Sequence, residues 1–170
     1  FRNIIKKEIV SSLLEEKFDD MIYDQDGFIP VSKIIASGMV RKPDRSKLED
    51  YIKGSYKGVN FEVCDLHFEE KSSSTDSKGH TSTSYHTYFK GRWYIYTFQH
   101  KFEEELKIIE GSKWQIAKKK LVQVDTESIE FNKKFSIFAT SQNYGFYHIT
   151  PVMIEKLLEL EKMHRRSILY

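Results

Sequence analysis

The order of strand-like, helix-like and turn-forming stretches predicts an α+β fold. Its sheet is mostly antiparallel, curved or partly barrel-like, with an amphipathic helix at the N-terminal end and a second helix at the C-terminal end. Strand-like stretches follow one another through the middle of the chain, while helical periodicity is confined to the two ends. The regular strand–helix alternation that a parallel sheet needs is missing. With 170 residues, 39% of them hydrophobic and 14% aromatic, the chain is long enough to bury a sizeable core, and residues 1–170 read as a single domain.

Residues 3–19 have the spacing of an amphipathic helix. Ile5, Ile9 and Leu13 recur every four residues, with Val10, Leu14 and Phe18 beside them and Lys6, Lys7, Glu15 and Glu16 opposite. Asp24-Gln25-Asp26-Gly27 is turn chemistry. Pro30 suits the first turn of a short helix through Val31, Ile34 and Ile35, which Gly38 ends. Residues 41–50 are polar, and Pro43 stops any longer helix there. The strand-rich middle then runs over 51–149.

Strands at 51–56 and 59–70 flank a Lys57-Gly58 turn, with Phe61 and Val63 on one face and Cys64, Leu66 and Phe68 on the other. Residues 71–84, KSSSTDSKGHTSTS, carry no apolar side chain and read as a mobile loop or hairpin tip. The aromatic stretch 85–102 places Tyr85, Phe89, Trp93 and Ile95 on one face and Tyr88, Tyr94, Tyr96, Phe98 and Phe102 on the other. Apolar groups on both faces predict a central strand, or one that bends and changes sheet partner, with Gly91 as the bend or bulge.

Leu106–Ile109 reads as a strand, followed by a turn at Glu110-Gly111-Ser112 into a segment around Trp114 and Ile116. Leu121, Val122 and Val124 form a further strand, and Glu127–Lys134 a brief helix with Ile129 off its apolar stripe. Phe135, Ile137 and Ala139 alternate as a strand, and Asn143–Gly145 turn into Phe146–Ile149. Thr150 caps a helix over 151–165, with Pro151 in its first position. That helix buries Ile154, Leu157 and Leu158, with Leu160 and Met163 at its margin, and closes on His164-Arg165-Arg166. Ser167–Tyr170 reads as the start of another strand.

Residues 85–160 hold a sequence of features that resembles a known family. Tyr88-Phe89-Lys90-Gly91 opens the long aromatic strand, which ends near Lys101-Phe102. Val124-Asp125-Thr126-Glu127 leads into Glu130-Phe131-Asn132-Lys133-Lys134-Phe135, and Phe146-Tyr147-His148-Ile149-Thr150-Pro151 enters the helix Met153–Leu160. This is similar to the bacterial family called domain of unknown function 3137. Tyr51 and Gly54 ahead of Phe61 are compatible with it. The resemblance implies membrane-spanning segments ahead of the domain, which fits a chain that starts at Phe1, and a continuation after the last helix. No enzymatic activity is established for that family, so the resemblance transfers no catalytic residue.

The residues themselves lead to the same expectation. Zinc needs three or four converging ligands, and the six histidines (His67, His80, His86, His100, His148, His164) show no such spacing. His67, His86 and Glu69 make a thin set at most. Cys64, the single cysteine, lies on an apolar strand face, where a thiol is inert. Asp19/Asp20, Asp125/Glu127 and Glu103–Glu105 read as solvated turns or helix starts. No phosphate-binding glycine loop and no serine elbow is present.

Residues 1–70 hold 11 basic and 14 acidic side chains and residues 71–170 hold 16 and 11, a mild basic bias whose densest run is Lys118-Lys119-Lys120. This is too little for a nucleic-acid interface; a solvated charged face is the default reading, and with the anchor that the resemblance implies an anionic membrane surface is its more natural use. No apolar run approaches the ~20 residues that span a bilayer.

The expected function is therefore a non-enzymatic binding or scaffold module of a bacterial membrane-anchored protein, at the cell membrane and facing the cytoplasm. It would have a protein or lipid partner, no nucleic acid, no cofactor, no metal and no catalytic residues. A scaffold form would bind a peptide by strand addition at an edge left open near Ser167–Tyr170. The alternative is a hydrolase-like enzyme with a cleft on the aromatic sheet, using His86, His100 and Glu69.

Overall fold

The computed structural model describes residues 8, 11–110 and 120–163. It is α+β with two antiparallel sheets, neither closed into a barrel. Where the sequence reads as one domain, the chain divides into two compact units, 1–100 and 101–170, each with its own hydrophobic cluster.

The first unit is built on a four-stranded sheet in the order β1-β2-β3-β4, namely Asp19–Asp24, Arg45–Tyr56, Val59–Thr75 and Thr81–Thr97. Ahead of it, residues 11–15 are helical (α1). Most of the rest of the expected 3–19 helix lies outside the described residues, and its end departs from expectation. Lys17 and Phe18 close the last turn by donating to the Leu14 carbonyl, and Asp19 already begins β1. Leu13 faces solvent, whereas Phe18 packs edge-on against Tyr56 and Phe61, with ring centroids 5.7 and 5.1 Å apart.

The β1–β2 pair carries little sequence signal because its ladder is irregular. Only Tyr23 of β1 is buried, so no alternation announces the strand. β2 starts at Arg45, ahead of the expected residue 51. Its register against β3 shifts between Glu49 and Ile52, and Asp50 sits in that bulge with φ +58°. Short polar side chains tolerate this left-handed conformation, and Asp50 is tied on both sides: its N–H donates to the Gln25 carbonyl at 3.0 Å, and its carboxylate accepts the Tyr23 hydroxyl at 2.5 Å.

The Lys57-Gly58 turn is as expected. Tyr56 pairs with Val59, and the turn residues have φ +50° and +80°, both left-handed as a tight two-residue hairpin turn requires. The inner sheet face buries Cys64, Leu66, Phe68 and Phe89. It packs against Ile29, Ile34 and Val40, on and beside α2 (Val31–Ala36). Phe68, fully buried, contributes about 2–3 kcal/mol by leaving water.

Residues 71–84 are not a loop over most of their length. Ser72 pairs with Ser84, Ser74 with Ser82 and Thr75 with Thr81, the last two also through their hydroxyls at 2.9 and 3.0 Å. Only 76–80 turns the chain. Asp76 caps that turn by accepting from the backbone N–H groups of Lys78 and His80 at 2.9 and 2.8 Å.

The bulge in β4 falls at Tyr88, not Gly91. Phe68 pairs with Phe89 and Glu69 with Thr87, while Gly91 pairs in register with Leu66. The extra residue turns Tyr88 toward the core beside Phe68, with centroids 6.1 Å apart. Among the described residues β4 is also an edge strand, so the central position expected from its aromatics is corrected. Phe89 is its one buried aromatic, and Tyr85, Tyr94 and Tyr96 are exposed.

The second unit holds β5 (Leu106–Glu110), β6 (Val122–Val124) and β7 (Phe135–Ala139), with β7 central. The expected turn and segment from Gly111 through Trp114 and Ile116 lie outside the described residues. α3 (Ile129–Lys134) starts at Ser128, whose hydroxyl accepts from the Phe131 N–H. Phe131 is buried and Ile129 exposed, as its place off the stripe predicts.

The segment expected to leave Asn143–Gly145 as a turn is instead helix α4 (Gln142–His148), capped by Ser141. Gly145 lets α4 approach β6: a Cβ there would lie 2.8 Å from Val124 Cγ2. α5 (Pro151–Met163) begins as expected, with the Thr150 hydroxyl accepting from the Met153 N–H at 3.2 Å. It packs Met153, Ile154, Leu157 and Leu158 on the cluster formed by Val124, Phe131, Phe135, Ile137, Ala139 and Ile149, and Met163 is exposed. Its expected continuation past Met163, and the strand at Ser167–Tyr170, lie outside the described residues.

Candidate functional site

The outer face of the four-stranded sheet follows from strand parity. Phe61, Val63, Asp65 and His67 alternate along β3, and the register places Tyr96, Tyr94, Arg92 and Lys90 beside them on β4. On the β2 side, Gly54, Ile52, Glu49 and Lys47 stand opposite the same four residues. One half of this face is therefore aromatic and aliphatic, and the other half is charged.

The apolar half is a groove of about 320 Å³, lined by Leu14, Phe18, Val63, Tyr94 and Tyr96 among others. Tyr94 and Tyr96 lie two positions apart on β4, so their rings lean the same way: the planes are 6° from parallel and the centroids 6.3 Å apart. They are 51% and 56% exposed. Partial burial, then the neighbouring Tyr94, push the Tyr96 hydroxyl pKa up, so it stays a neutral hydrogen-bonding tip.

Arg92 joins the two halves, lining both the groove and a charged hollow of about 410 Å³ with Lys47, Glu49, Asp65, His67 and Lys90. It is held by a two-point pair with Asp65, Nε to Oδ1 at 2.6 Å and Nη2 to Oδ2 at 3.2 Å. That hydrogen bond outweighs partial burial and drives the guanidinium pKa further up. Lys47 pairs with Glu49 at 2.9 Å and His67 Nε2 contacts Thr87 Oγ1 at 2.8 Å.

At the margin of the opposite face, Glu62 accepts from Lys33 and, at 2.8 Å, from the Tyr51 hydroxyl. The Lys33 hydrogen bond leads in holding the Glu62 carboxyl below its ordinary value. Burial, then the bond to Glu62, push the Tyr51 phenol up to about 12.

The enzyme set read from sequence is not brought together. His86 pairs with Glu70 near the Ser/Thr arm, while His100 lies past the other end of β4. Glu69 faces neither, lying 3.9 Å from both Arg45 and His67. Among the described residues no three His, Cys, Asp or Glu side chains converge as metal ligands. Cys64 is buried, and that burial raises its thiol pKa.

Asp19 and Asp20 are exposed on β1, Glu105 pairs with Lys107 at 2.9 Å, and the Asp125 carboxylate accepts from Gln123 at 3.4 Å. Lys118, Lys119 and His164 lie outside the described residues. The sequence reading missed the Asp65–Arg92 pair and the exposure of Tyr94 and Tyr96. The opposite charges and the tyrosine spacing were visible in the sequence, but only the true hairpin register puts them on one face.

The motifs that carried the family resemblance have structural roles here. Thr126 and Asn132 form a closed polar knot: the Asn132 carboxamide accepts from the Thr126 N–H and hydroxyl at 3.0 and 2.8 Å and donates to the Thr126 carbonyl at 2.7 Å. His148 stands 4.3 Å from the Tyr144 ring centroid and 6.1 Å from that of Phe102.

No curated protein and no solved structure matches the chain. Residues 87–170 match the model of a family described as protein of unknown function (DUF3137). That stretch runs from the middle of β4 through α5, and leaves Tyr51, Gly54 and Phe61 outside it. By that match residues 87–170 of the chain belong to the DUF3137 family.

Proposed function

We propose that this chain is a non-enzymatic binding or scaffold module of a bacterial membrane-anchored protein, working at the cytoplasmic face of the cell membrane. The observation that carries the reading is the outer sheet face, where exposed Tyr94 and Tyr96 border Arg92, Lys90, Lys47 and His67. Tyrosines with polar tips beside cationic side chains suit the interface of an anionic membrane. Among the described residues no helix is long and apolar enough to cross a bilayer, so on this reading the anchor lies elsewhere in the protein.

The test is co-sedimentation with vesicles of phosphatidylglycerol and phosphatidylcholine at low and high salt. The chain is expected on the anionic vesicles at low salt and to be released at high salt. A Lys47→Gln/Lys90→Gln variant should be retained roughly threefold less. No retention of the unaltered chain at low salt removes the membrane role.

A further inference from the structure

The free edge of β4 offers a contact of a different kind from membrane binding. β4 pairs with β3 on one side and, among the described residues, with no strand on the other. An edge of this kind offers a row of unpaired backbone donors and acceptors to another strand. From Phe89 to Thr97 its pairing with Phe68–Asn60 is uninterrupted, and the Tyr88 bulge ends that regular stretch. β4 contains no carboxylate, and its strong cations are Lys90 and Arg92. The occupant of the edge must therefore avoid setting cation against cation.

We infer that β4 pairs with β4 of a second copy of this chain, antiparallel, about a two-fold axis through Trp93. A two-fold perpendicular to the sheet keeps faces together, so residues at equal distances from the axis stand side by side. This register sets Trp93 beside Trp93, Arg92 beside Tyr94, Lys90 beside Tyr96, and Phe89 beside Thr97. Both strong cations of β4 then meet a tyrosine ring, a favourable cross-strand combination. The two Arg92 side chains become diagonal neighbours, and each already carries its own Asp65 carboxylate.

Shifting the axis to Arg92 opposes arginine to arginine, and shifting it to Gly91 opposes Lys90 to Arg92, so the charges select against both. The two four-stranded sheets join into one of eight strands, with the two outer faces continuous.

Sedimentation equilibrium across a range of concentrations tests this on the whole chain. The mass should rise from 20.2 kDa toward twice that value. Tyr96→Lys sets a new ammonium group against Lys90 twice across the axis and should weaken association roughly tenfold. Adding Lys90→Glu to it turns both contacts into opposite-charge pairs and should restore association. That rescue separates loss of the interface from loss of the fold. Amide exchange at Phe89–Thr97 should slow as concentration rises.

A chain that stays monomeric throughout overturns the inference. So does a dimer indifferent to both substitutions, or one that the pair of substitutions does not rescue. The vesicle result decides the membrane reading separately.

Discussion

At the scale of single residues, the Lys33–Glu62–Tyr51 group shows how a polar cluster depends on pH. Glu62 keeps its charge because Lys33 and Tyr51 donate to it, and its pKa is lowered from the ordinary 4.5. A carboxyl with a lowered folded value contributes stability that is complete above its unfolded value and disappears as pH falls through the folded one. Tyr51 runs the other way. Its raised value leaves the contribution intact up to the ordinary 10.0, and it is lost as pH climbs toward about 12.

Urea midpoints measured across the acid range should therefore decline for the unaltered chain. They should be lower near neutrality and flatter toward acid in Glu62→Gln. Equal acid slopes in the two proteins would show that Glu62 is not a source of the decline. The sequence held these three residues in plain view, but at positions 33, 51 and 62 nothing local connects them. The β2–β3 register and the docking of α2 do.

At the scale of elements, the parts read best from sequence are those with local causes. The Lys57-Gly58 turn, the Thr150 cap and the β7 alternation each depend on residues within a few positions of one another. Thr150→Ala removes the acceptor for the Met153 N–H and should cost about 1 kcal/mol of thermal stability, whereas Thr150→Ser should be close to neutral. Calorimetry distinguishes the two.

The elements misread are those where a tertiary constraint overrides local pattern. β1 and the first half of β2 are polar edge structure held by bulges at Asp20 and Asp50. The Ser/Thr arm is strand because β3 and β4 continue past the sheet in register. α4 is helix because Ser141 caps it and Gly145 permits contact with β6, although its sequence carries turn residues.

At the scale of the whole molecule, the buried residues form two separate clusters. Phe131 is fully buried in one and Phe68 in the other, and truncating either to alanine should cost about 3–5 kcal/mol. Amide exchange gives the sharper readout. Phe131→Ala should raise exchange across β5–β7 and α5 while leaving β2–β4 protected, and Phe68→Ala should do the reverse. Uniform loss of protection in both variants would mean that the two units unfold as one.

The DUF3137 match, from residue 87 to 170, takes in the whole described second unit but only the latter part of β4 from the first. The outer sheet face owes its other half to β2 and β3, which lie outside the match.

From sequence alone came the fold class, the hairpin turn, most strands of the second unit, the start of the last helix and the family. Each of these rests on short-range periodicity, on capping or on punctuation written in neighbouring residues. Tertiary structure alone decided that the aromatic strand lies at an edge, that its bulge is at Tyr88, and that Tyr94, Tyr96, Arg92 and Asp65 share one open face. A single extra residue in one strand changes which side chains meet across a sheet. Alternation in the sequence states that two faces exist; which of them is buried depends on what packs against it.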